Sequence, residues 1–211
     1  LIGATMLALV LTLALLAGTL YPGDPLDMVA MPMLWPGDDP GYFLGSDSLG
    51  RDVAAGIAHG ARGSLLIAAS ATLISVLIGT VVGALAGYHG GKLGDVLMRI
   101  CEVFQTVPSF LLVIVIVAIG NPTLGVIALA IGIASWPTVA RLVRAEFRTL
   151  READFVTAAR SLGFGNSSII LREILPNALA PLVVTTSILI AQAILVEAGL
   201  AFLGMSDPNQ A

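Results

Sequence analysis

Five uncharged, apolar runs alternate with polar stretches along this chain, and their lengths predict helices that cross a bilayer. Residues 1–20 carry no charge and match the roughly 20 residues a spanning helix needs. The apolar part of a cleaved signal peptide is only about 7–15 residues long, so this run reads as a span. Residues 64–88 form an uncharged run of 25 residues, which at about 1.5 Å per residue crosses a hydrocarbon core of about 30 Å with some tilt. Gly79, Gly83 and Gly87 recur every fourth position on it, a spacing that lets another helix backbone approach closely. Residues 103–120, 124–140 and 178–196 predict three further spans. The Asn121-Pro122 turn is short enough to require an antiparallel hairpin between the first two of these.

The polar stretches differ in kind. Residues 21–42 carry five prolines and four aspartates, which prevents a continuous helix and keeps the segment wet. The following Gly45-Ser46-Asp47-Ser48-Leu49-Gly50-Arg51-Asp52 suits a turn and a helix cap, with a helix expected over 51–62. Capping and a local Arg-Asp contact explain Asp47 and Asp52 better than a metal site does. Within 88–105, Leu93, Val96, Leu97, Ile100, Val103 and Phe104 form an apolar stripe, predicting a helix that lies at the interface. Residues 141–177 hold six of the ten Lys and Arg. There Arg141, Arg144, Arg148 and Arg151 follow helical spacing, and a second apolar face runs through Phe155, Ala158, Ala159 and Leu162. Gly163-Phe164-Gly165 predicts a corner, Asn166 or Ser167 a new cap, and Pro176 a stop.

Composition confirms the bilayer as solvent: 57% of residues are hydrophobic and 11% charged, with a mean hydropathy of +0.96, too apolar for a soluble domain. The net charge of -4 conceals a segregation of signs. The 88–105 and 141–177 stretches together hold eight of the ten cations, which makes them cytoplasmic by the positive-inside rule. The amino terminus then also lies inside and the Asp-rich loop outside. Cys101 stands alone, excluding an internal disulfide. Ala86 and Leu93 occupy key positions of what would otherwise pass for a phosphate loop around Gly87–Lys92. With two histidines and no zinc helix or nucleophile triad, the chain offers no catalytic or metal residues. Glu197 sits near the end of the last span and reads as structural. Thr185, Thr186 and Gln192 within that span are candidates for lining a pathway, since polar groups in hydrocarbon face protein or water. A secondary transporter would need coupling groups at mid-depth, which the spans lack; a membrane scaffold without transport remains the other reading.

Thr157-Ala158-Ala159-Arg160-Ser161-Leu162-Gly163, with Leu175-Pro176 following at the end of the loop, resembles the E-A-A-x3-G-x9-I-x-L-P loop of permease subunits in binding-protein-dependent ATP-binding-cassette importers. The 45–52 motif, with Gly45, Asp47, Gly50, Arg51 and Asp52, and the 154–163 segment look like the second permease of the dipeptide, oligopeptide and nickel branch. Thr157 stands where that loop has glutamate, and Glu173 where it has isoleucine. The resemblance implies an all-α, polytopic membrane bundle of the type I importer fold, with five of six spans present and the sixth beyond Ala211. It divides the chain into a first span, external loop and interfacial helix (1–62) and a permease core (63–211). It further implies a multi-pass subunit of a prokaryotic inner membrane, with a homologous permease, two cytoplasmic ATPases and an external solute-binding protein as partners and no nucleic acid. ATP and magnesium would bind the ATPases and no cofactor this chain. Thr157, Ala158, Ala159, Arg160, Gly163, Leu175 and Pro176 would then form the surface that couples to the ATPases.

Overall fold

A computed structural model describes residues 1–207. They form helices α1 (Ile2–Leu20), α2 (Val53–His89), α3 (Gly91–Thr106), α4 (Ser109–Gly120), α5 (Leu124–Leu150), α6 (Asp154–Ser161), α7 (Asn166–Ser168), a π-helical turn (Ile169–Ile174) and α8 (Leu175–Phe202). Four helical stretches are long and apolar enough to cross a membrane, or five if the bent α3–α4 pair counts as one. Among the described residues the only strand-like pairings are two isolated bridges in the loop between α1 and α2.

The parallel α2–α5 pair, in which Gly79, Gly83 and Gly87 meet Val139, Val143 and Phe147 in turn, is the centre of the bundle. A Cβ added at Gly79, Gly83 or Gly87 would stand 2.5–2.6 Å from Val139 Cβ, the Ala140 carbonyl oxygen or Phe147 Cβ respectively. The glycine row is therefore the groove into which α5 sinks, and Gly132 of α5 returns the contact against Ile74. Val139, Ala140, Val143 and Phe147 are almost fully buried along this seam. At the opposite edge, α1 buries little beyond Ala14 and Ala17, as expected of a helix mostly surrounded by lipid.

Three expected boundaries are absent because packing carries the helices across them. α2 runs unbroken for 37 residues, so the division at 62/63 falls inside one helix, where Gly63 is buried and does not interrupt the ladder. α5 continues through Pro137 to Leu150, merging the expected span with the arginine helix. Pro137 is fully buried, and the apolar face from Ile131 through Val139, Val143 and Phe147 keeps its register across the missing N–H. Pro176 does not stop a helix; it lies in the first turn of α8, directly after the π-helical turn. The i→i−5 pattern there, seen in the bond from Leu175 N–H to the Ile170 carbonyl, shifts the ladder so that a residue without N–H is accommodated.

The expected span at 103–120 is broken. α3 and α4 meet at 80° across Val107-Pro108. Val107 is extended (φ -91, ψ 130), the conformation that a following proline favours. α4 alone, at 12 residues, is about 18 Å long and falls short of the hydrocarbon thickness by itself. α3 lies across it as an amphipathic helix, burying Gly94, Met98 and Cys101 and exposing Leu93, Val96, Ile100 and Val103.

Candidate functional site: a helical knuckle at the end of the bundle

α6 is a two-faced helix. Val156 and Ala159 are buried with Tyr88, Phe147, Ile169 and Ile174 in one apolar cluster. Thr157, Ala158 and Arg160 point outward, followed by the exposed Leu162, Gly163 and Phe164. Thr157 Oγ1 donates only to the Ala153 carbonyl, at 3.4 Å. The corner after α6 closes with Gly163 N–H to the Arg160 carbonyl and Phe164 N–H to the Ala159 carbonyl, 3.0 and 3.1 Å. This double bond pattern requires a left-handed residue at its centre, and Gly163 has φ +84°. No atom lies within 4 Å of the position of a Cβ there, so backbone conformation rather than space demands glycine.

Tyr88, the penultimate residue of α2, holds the knuckle to the bundle. Its hydroxyl donates to Asn166 Oδ1 at 2.8 Å, its carbonyl accepts from Arg151 Nη1 at 3.0 Å, and the Arg160 guanidinium lies 5.9 Å above its ring. Asn166 therefore does not cap α7, whose first turn has no side-chain cap; its amide serves Tyr88. Sequence reasoning missed Tyr88 because it closes an apolar run. The only local signal was a phenol at the end of a span, an aromatic group with one polar atom to satisfy. Ala159 faces inward and Leu175 is half-buried, whereas Pro176 is exposed. The predicted residues thus separate into an outward patch at 157–164 and a hinge at the start of α8.

The 45–52 motif lies at the other end of α2, roughly 55 Å away at 1.5 Å per residue, and closes the loop between α1 and α2 on itself. Asp47 Oδ1 accepts from Leu49 and Arg51 N–H at 2.8 and 2.9 Å. Ser46 Oγ bonds the Met31 carbonyl and accepts from Leu34 N–H. Gly45 and Gly50 have φ +75° and +80°, and a Cβ on either would strike the Leu34 or Ala30 carbonyl. Asp52 caps α2 through Ala54 N–H at 2.8 Å. The Arg51 N–H bond, opposed by some desolvation, holds the Asp47 carboxyl below its ordinary value of 3.8. A depressed carboxylate contributes fully above that value and loses its contribution as pH falls through the folded one. Asp47→Ala should accelerate proteolysis of the 22–44 loop several-fold at neutral pH, and Asp47→Asn, which keeps an acceptor, should do so less. Equal cleavage of all three forms would refute this role.

Along α8, Thr186 Oγ1 donates back to the Leu182 carbonyl at 2.8 Å, Thr185 is half-buried, and Gln192 is exposed. Glu197 accepts from Ser64 Oγ at 2.8 Å, tying α8 to α2.

These features belong to a polytopic permease, and comparison with known proteins gives the family. Residues 79–209 match the family of binding-protein-dependent transport system inner membrane components, to which this chain belongs. It is 36% identical over 210 residues to the dipeptide transport system permease protein DppC of Haemophilus influenzae, covering 97% of this chain and 71% of that one. It is 38% identical to the di/tripeptide permease DppC of Pseudomonas aeruginosa, covering 96% and 69%. It is 36% identical to the glutathione permease GsiD of Pectobacterium atrosepticum, covering 93% and 65%. The chain is a transmembrane permease subunit of an ATP-binding-cassette importer.

Proposed function

We propose that this subunit forms half of a peptide pathway and that the outward patch at 157–164 docks a cytoplasmic ATPase, with the amino terminus on the same side. The observation that carries the reading is the division of α6 into a face packed on α2 and α5 and a face left exposed beside a fixed glycine corner. A rigid helix anchored on one side is suited to receive a push on the other. ATP and magnesium bind the two ATPases, whose closure displaces α6. A homologous permease completes the pathway, and an external binding protein delivers the solute. The displacement shifts the population between inward- and outward-open bundles. Peptides are the cargo favoured by the names of the relatives, and the glutathione permease fits the same class. The chain itself is non-catalytic.

Thr157 lacks the carboxylate that the related loop carries, so docking here rests on shape, on Leu162 and Phe164, and on Arg160. Gly163→Val forces a branched residue into the left-handed region, at a cost of about 1–3 kcal/mol. In proteoliposomes with the ATPases and binding protein, the variant should lose most ATPase association and peptide uptake. Retention of both would sink the docking assignment. Wild-type protein that binds the ATPases without substrate-dependent ATP turnover would be a scaffold.

A further inference from the structure

The arginine row of α5 does more than mark the cytoplasmic side. Arg141, Arg144 and Arg148, with Met98, Ala145 and Thr149, line a cavity of about 360 Å³ between α5 and α3. It has no acidic residue in its wall. Arg144 has one ion pair, a long 3.8 Å contact to Asp95. Among the described residues, Arg141 and Arg148 have no carboxylate within 4.0 Å. Glu146 does not neutralise them, because it projects from another side of α5, roughly half a turn from the arginine row.

We propose that this cavity binds the phosphate of an anionic phospholipid of the cytoplasmic leaflet; the assignment rests on the orientation given above. Three observations favour a lipid over a soluble anion. Arg141 and Arg148 lie about 26 and 36 Å along α5 from Leu124, so a hydrocarbon core of about 30 Å ends between them and the row stands at headgroup depth. α3 lies almost across the bundle direction at the same level. Its stripe of Leu93, Val96, Ile100 and Val103 is exposed on the face of α3 turned away from Met98, a surface for acyl chains that meets the basic side at the helix edge by Val96. An adjoining cavity lined by Val96, Met98, Arg99 and Arg144, and also by Asp95 and Glu102, brings charged and apolar surfaces together; Glu102 there pairs with Arg99 and Asp95 with Arg144. Basic pockets between helices on the cytoplasmic side take anionic headgroups for these reasons.

The test uses the full-length chain in the assembly it forms in its native membrane, purified without ATPases and exchanged into nanodiscs of phosphatidylcholine with a minor fraction of phosphatidylglycerol. Lipid retained after delipidation is measured by native mass spectrometry. Phosphatidylglycerol should be retained over phosphatidylcholine, and each of Arg141→Gln and Arg148→Gln should reduce retention about fivefold. Arg172→Gln, which removes an exposed charge outside the cavity, should leave it unchanged, and inorganic phosphate should not displace the lipid. Equal retention of the two lipids, displacement by phosphate, or loss of a partner subunit from the double variant with lipid retention unchanged would each overturn the proposal. The readout needs no transport, so it fails or succeeds separately from the importer reading.

Discussion

Gly83→Leu should prevent the permease core from assembling. The missing Cβ at this position would lie 2.5 Å from the Ala140 carbonyl oxygen, 2.8 Å from Val143 Cβ and 3.1 Å from the Arg144 amide nitrogen. Two of those three atoms are backbone, so no rotamer change relieves the clash. The remaining response is to separate α2 from α5, which also unpacks Val139, Val143 and Phe147 from the seam. Overpacking in a core that yields costs about 1–3 kcal/mol; with backbone on the far side, the cost should reach or exceed the upper end. Gly83→Ala should be intermediate, and Gly56→Ala should be neutral, because no atom lies within 4 Å of its Cβ position. Denaturant midpoints of the purified subunit in mixed micelles order the series. A wild-type midpoint for Gly83→Leu would show that α2 and α5 are not packed through this groove.

That groove was legible in the sequence because three glycines in helical register within an apolar run have few other uses. The Asp52 cap and the corner at Gly163 were legible for a similar reason: each is a local requirement that one residue type satisfies. Helix ends were less legible. Pro137 and Pro176 are stop signals in an isolated chain, yet α5 runs on through Pro137, where burial on either side outweighs one lost hydrogen bond, and Pro176 falls in the first turn of α8 behind the π-helical turn that accommodates it. The bend at Pro108 obeyed the local signal since the α3 and α4 faces there are bound to different surroundings, one across the bundle and one within it. Tyr88 and Asn166, 78 residues apart, illustrate what no local pattern contains: a contact that exists only once α2 and α5 have brought the two ends of the loop together.

With ATPases docked at α6 as proposed, this contact should matter for transmission more than for stability. Displacing α6 moves Arg160 and Asn166, and both report to Tyr88 at the end of the longest helix. In the same cluster Phe147 and Val156 pack against one another's neighbours, but they are apolar and slide more easily than directed bonds. Tyr88→Ala removes the ring beneath Arg160 and the donor to Asn166 together, while the carbonyl that accepts from Arg151 remains. The variant should therefore still bind ATPases and turn over ATP, with peptide uptake per ATP reduced about tenfold or more, equivalent to about 1.4 kcal/mol of lost coupling. Tyr88→Phe keeps the ring and loses one hydrogen bond, worth about 1 kcal/mol. Because Asn166 is exposed and water replaces the lost donor, its effect should be only a few-fold. Simultaneous assay of uptake and phosphate release in proteoliposomes separates the outcomes. A purely structural role would lower ATPase binding, turnover and uptake in parallel, whereas a transmitting one changes their ratio. An unchanged ratio in Tyr88→Ala would leave the apolar cluster alone as the link between α6 and α2.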